Sequence, residues 1–274
     1  MQRPFFLFLF FIAFTANASA AAPHILTPAL FPGQTVIVQF DEAPSRILFD
    51  AQLITAFPYR SEWRAAIPVP RSAHAGAHQL TMQVATTTID RTVSVRRGRA
   101  RTITFPVPKK LGITARELTK NLSTANNVIN TSTAAVSETT RFSEPFGLPL
   151  KDNRMISSRF GEVRTTGSER IVHLGTDFAA RKGSAVGAIN AGVVVNAYAD
   201  PVYGNSVIVD HGRGTYSLYL HLDTMRVTFG DSLKKGSVIG TVGDSGLASA
   251  PHLHLSVKIN GISVDPLQFI SAFR

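Results

Sequence analysis

The feature that most constrains the fold is a series of short Val- and Ile-rich runs punctuated by glycine: "GSAVGAINAGVVVNAY", "GNSVIVDHGRG", "TYSLYLHL" and "GSVIGTVGD". β-Branched residues suit a pleated surface, and the glycines between them supply turns. From Ser143 onward the chain therefore reads as an antiparallel β domain. "DHGRG", Asp210 to Gly214, reads as a hairpin loop, which assigns His211 to the turn.

The first half is strand-like in another style. "QTVIVQF" alternates Val36, Val38 and Phe40 with polar neighbours; "QLTMQV" does so with Leu80, Met82 and Val84, and "TITFPV" with Ile103, Phe105 and Val107. Period-two segments broken by Pro and Gly predict a β-sandwich of immunoglobulin-like size over residues 21–108. His24, His74 and His78 have no evident partners there and are expected at the surface. "VRRGRART" is expected to be a solvated hairpin turn between "TVSV" and "TITFPV". The period then changes: Thr114 and Glu117 form a capping-box pattern, and Leu118, Leu122, Ala125 and Ile129 follow at helical spacing. A helix over about Thr114 to Asn130, and a weaker one around Ala134 to Phe142, make residues 109–143 a helical linker to a domain at 144–274. The fold class is mainly β.

The first twenty residues, "MQRPFFLFLFFIAFTANASA", join Arg3 to an apolar run from Phe5 to Phe14 and small residues at Ala16, Ala18 and Ala20. This is the pattern of a signal peptide, residues 1–20. No other stretch approaches the roughly 18 continuous apolar residues of a membrane span. The mature chain is expected to be soluble and periplasmic or secreted; a monomer is assumed. Cysteine is absent and the net charge is +10. Any metal must then be held by His, Asp or Glu, and the charge favours anionic envelope polymers as partners. No nucleic-acid-binding motif accompanies it.

The chemistry concentrates in three motifs. "APHLHLSV" places His252 and His254 two residues apart, on one face of a strand. "VHLGTDF" places His173 four residues before Asp177; an extended chain would hold them roughly 13 Å apart, but Gly175 permits a bend. His173, Asp177 and one or both histidines of "HLH" give a His/Asp/His set with an open position, the form expected of a catalytic zinc site. "SLYLHL" adds His221 for proton transfer, because no glutamate base accompanies these motifs.

"HLGTD", "YLHL" and "PHLHL", with "ISSRFGEVR", "YGNSVIVDHG", "GDSLKKGSVIGTVGDSG" and "GISVDPLQFI" around them, resemble the lysostaphin-type (LytM-domain) zinc endopeptidases of bacterial peptidoglycan. The similarity covers about Phe146 to Phe273. It implies an antiparallel β-sheet peptidase domain with an open groove, one zinc ion on His173, Asp177 and His254, and catalytic roles for His221 and His252. Asn205 matches a position near the groove and is a candidate substrate contact. Ala250, Leu255 and Ser256 depart from the family pattern; none of them is expected to touch a ligand. The implied activity is hydrolysis of amides in peptidoglycan stem or cross-bridge peptides. The alternative is a non-catalytic regulator that binds the wall and activates another hydrolase.

Overall fold

The computed structural model describes residues 22–27, 29–98, 100–105, 112–151, 155–166 and 168–273. The signal-peptide expectation, Arg99, Lys109 and Lys110 lie outside them. The described residues are mainly β, with two helices. None of the described helices is long and apolar enough to cross a membrane.

The N-terminal half forms two sheets. One pairs His24–Ile25, Thr35–Phe40, Glu62–Pro68 and Phe57–Tyr59; the other pairs Ala29–Leu30, Thr87–Val95, Gly76–Val84, Pro44–Phe49 and Gln52–Ile54. Val36, Val38, Ala65 and Ile67 from the first meet Ile47, Leu80, Met82 and Val93 from the second in one core. Because strand side chains alternate, Ile37 and Ala66 turn the other way. With Phe57 and Tyr59 they join the C-terminal core, where Phe142, Phe146 and Phe273 form a cluster of aromatic edges and faces. The first sheet is thus buried on both sides.

Helix α1 runs Ala115–Ser132, capped by Thr114 and Glu117 in a reciprocal capping box. The C-terminal half is built on a ten-stranded sheet whose middle runs Thr176–Ala179, His252–Ile259, Thr215–Met225, Gly204–Gly212, Gly192–Asp200, each antiparallel to the next. Helix α2, Pro266–Ala272, starts at Asp265, whose carboxylate accepts from Leu267 N, and buries Phe269 and Ile270 beside it.

Several expectations are corrected. Residues 134–142 form no helix; the segment runs irregularly, and Thr140 makes a bridge to Gly212. Thr102–Thr104 does not return as a hairpin on Thr87–Val95. It pairs in parallel with Val163–Thr166, a contact across some sixty positions that local pattern cannot reveal. His211 lies in a strand, fully buried, with Nδ1 on Ala191 O at 2.7 Å and Nε2 on Ser217 Oγ at 2.7 Å. The turn falls on Arg213 and Gly214 instead, both in the left-handed region. His78 is buried too: it pairs with Asp50, stacks on Phe49 and lies against the tilted ring of His74. Asp50 lies 28 positions away in sequence and is brought alongside by strand pairing.

Candidate metal centre

Asp177 and His254 are directly opposed in the register of two antiparallel strands, and Ala179 opposes His252. Period two sends Asp177, His252 and His254 to one face. His173 reaches the same face from the loop after Glu169–Val172. Its backbone is anchored on Glu162 O, and its carbonyl accepts from Gly161 N, each at 2.8 Å. Gly175 is required for a reason other than bending, since its φ is not in the left-handed region. A Cβ there would lie 2.3 Å from His254 Nε2 and 2.6 Å from Leu255 O. The glycine lets the two segments touch.

Three donor atoms converge. His173 Nε2 is 3.0 Å from Asp177 Oδ1 and 3.0 Å from His254 Nδ1, and the last two are 2.8 Å apart. All three residues are buried. Hydrogen bonds behind the rings fix which nitrogens are bare. His173 Nδ1 donates to Arg159 O at 2.9 Å, freeing Nε2. Ser256 donates its hydroxyl to Leu174 O at 2.7 Å, so its oxygen accepts from His254 Nε2 at 2.9 Å and leaves Nδ1 as a lone pair. Ser256 therefore does touch a ligand, contrary to the reading of the sequence alone.

Asp177 is aimed in the same way. Its Oδ2 accepts from Arg164 Nη2 at 2.6 Å, and Arg164 Nη2 also donates to Ser158 Oγ at 3.0 Å. Burial pushes the Asp177 carboxyl up, but the bonds to His173 and His254 outweigh it and hold it well below the usual carboxylate range. Burial, partly offset by Asp177, takes His254 down to about 4, so its ring is neutral at pH 7. Two imidazole nitrogens and one carboxylate oxygen, directed at one point, suit a divalent metal with ligand distances of about 2.0–2.1 Å.

The remaining two histidines stand beside this centre. The His221 and His252 rings are 4.9 Å apart, and His221 is 6.1 Å from His254. His252 donates from Nδ1 to Ala250 O at 2.8 Å and His221 from Nδ1 to Ser245 O at 2.9 Å, so both carry a bare Nε2. His252 Nε2 lies 3.8 Å from Asp177 Oδ1. His221 arrives through a bulge: the strand pairing steps from Tyr219↔Val207 to Leu222↔Asn205, and His221 takes φ +63°. A bulge re-aims the side chain at a modest cost in backbone strain. Burial, then the neighbouring His252 and His254, hold the His221 pKa well below its usual value. Asn205 donates its amide to Leu222 O at 3.1 Å and Asp223 O at 3.0 Å, bracing the chain just past His221.

Arg164 and Ser158 had no place in the sequence-based set. Both lie in "ISSRFGEVR", but only the strand pairing reveals that they stand behind Asp177 and His173. Arg164 also lies under Phe105, its Cζ 5.1 Å from the ring centre.

The sequence pattern of Peptidase family M23 matches residues 171–266, the segment that carries all five clustered side chains. The chain carries an M23 peptidase domain. A crystal structure from Pseudomonas aeruginosa ascribed to peptidase M23 superposes with a TM-score of 0.62 at 26% identity, covering 89% of this chain and 96% of that one. That likeness takes in the N-terminal β half as well as the M23 domain. The peptidoglycan DD-endopeptidase ShyC of Vibrio cholerae is 36% identical over 118 residues, which is 42% of this chain and 27% of that protein. The DD-carboxypeptidase/endopeptidase Mpg of Neisseria meningitidis is 38% identical over 96 residues, or 35% and 22% respectively. The match thus spans about a quarter of the length of these curated relatives.

Proposed function

We propose that this chain is a zinc-dependent endopeptidase, exported from the cytoplasm, that hydrolyses amide bonds in the stem or cross-bridge peptides of peptidoglycan. The observation that carries the reading is the convergence of His173 Nε2, Asp177 Oδ1 and His254 Nδ1 to within 3.0 Å of one another, all buried and all directed by hydrogen bonds behind them. The names of the relatives support the substrate class, and the net charge of +10 suits an anionic wall.

His173, Asp177 and His254 would hold the zinc, and a thiolate-free N/O set with three protein ligands is the pattern of a catalytic site. Zinc supplies Lewis acidity there and brings the pKa of a water toward about 7. The chain's own contribution is to move protons. His252 Nε2 and His221 Nε2 are bare and adjacent, so one accepts a proton from the attacking water while the other faces the developing oxyanion or the leaving amine. The carbonyls of Ala250 and Ser245 fix both tautomers, so neither ring must reorient.

The test is digestion of purified sacculi with zinc-loaded full-length protein, followed by mass spectrometry of the released fragments. New amino termini within the peptides are expected. Intact peptides under all conditions would overturn the proposal; intact peptides with faster release by an added second hydrolase would favour a regulator.

A further inference from the structure

Helix α1 crosses the face of the sheet that carries the metal centre. At one side Thr119 Oγ1 donates to Glu169 Oε2 at 3.0 Å; at the other Tyr203 OH donates to Asn126 Oδ1 at 2.7 Å. Further along, Ile129 packs on Ile208, Tyr216, Leu218 and Leu220. Between helix and sheet lies a cavity of about 760 Å³ whose walls include His173, His221 and His254. The metal centre therefore opens into a space roofed by α1.

One cation in this space is under-used. Lys258 stands on the same strand face as His254, two alternations further on, and only 5% of it is exposed. Its Nζ donates to Asn130 Oδ1 at 2.7 Å. Among the described residues no carboxylate reaches it, so the other donors of the ammonium group have no protein acceptor there. Burial lowers the Lys258 pKa. A buried cation left without a counter-charge is costly, and an anionic ligand entering the cavity would offset that cost. Along the strand His254 and Lys258 are roughly 13 Å apart, which an extended peptide spans in about four residues.

We propose that the cavity beneath α1 is the peptide subsite, and that Lys258, steadied by Asn130, receives a free carboxylate of the substrate about four residues from the bond that is cut. The inference rests on the endopeptidase reading for its substrate class. It differs from that reading in assigning a recognition role to α1, a helix outside the matched M23 segment, and to a side chain that takes no part in bond cleavage.

The test uses the full-length chain with a purified muropeptide dimer whose terminal carboxylate is free, and with the same dimer converted to its carboxamide. Cleavage is read with zinc-loaded protein, and binding by calorimetry with metal-stripped protein, which cannot turn the ligand over. Wild type is expected to prefer the free carboxylate by about tenfold to a hundredfold, the weight of a charge-assisted hydrogen bond. Lys258→Met should lose the preference; Lys258→Arg, which keeps the charge, should retain most of it and serves as the folding control. Equal handling of the two dimers by wild type, or an undiminished preference in Lys258→Met, overturns the proposal. If no dimer is cleaved but the binding preference follows Lys258, the subsite stands and the endopeptidase reading fails.

Discussion

The rings of His221 and His252 sit 4.9 Å apart, although one reaches the site through a strained bulge and the other from a regular strand position. Both tautomers are set by backbone carbonyls, and neither ring is among the three converging donors. His221→Ala and His252→Ala should therefore retain zinc and lose turnover, each by about 10²- to 10⁴-fold as for removal of a general acid or base. Metal analysis beside a sacculus-digestion assay checks this; loss of metal in either variant would make that histidine a ligand.

Arg164 bears on the proposed metal centre chiefly through Asp177, whose Oδ2 it holds at 2.6 Å. Arg164→Met should weaken zinc binding by about 10- to 100-fold, the usual effect of removing a partner behind a ligand. Competition with a chelating dye measures it. An unchanged affinity would mean that strand pairing alone fixes Asp177.

Gly175 tolerates no side chain because His254 Nε2 occupies the space a Cβ needs. Gly175→Ala should push the ring off Ser256 and abolish high-affinity zinc binding while most of the fold survives. Circular dichroism and metal content together test this, and normal zinc uptake by the variant would refute the packing argument.

The motifs made the three converging donors and the two further histidines legible, because His-Leu-His states its face by period two and the capping box states where α1 begins. What stands behind them was not legible. Arg164, Ser158 and Phe105 come together only through pairing of Thr102–Thr104 with Val163–Thr166 and of Ile156–Ser158 with Thr176–Ala179. Ser256 was visible as a departure from a family pattern, yet its bond to His254 depends on Leu174 O lying 82 positions away in sequence. His211 was misread because glycines on both sides of Arg213 look like a longer loop than the two-residue turn they make.

His211 gives a pH signature unrelated to catalysis. Burial lowers its pKa to about 4 in the folded state, against 6.5 when free. The unfolded chain therefore binds a proton first, and the stability present above pH 6.5 is lost as the pH falls toward 4. The shift corresponds to roughly 3 kcal/mol. In denaturant titrations His211→Gln should show a shallower decline over that interval than wild type. Parallel declines would show that His211 does not govern it.

The central claim, that His173, Asp177 and His254 grip one cation, is tested most directly by the zinc content of purified full-length protein and its single-residue variants. Wild type and His252→Ala should each carry one zinc per chain, and His173→Ala, Asp177→Ala and His254→Ala close to none. A full complement of zinc in Asp177→Ala or His254→Ala, with the fold intact, would contradict it.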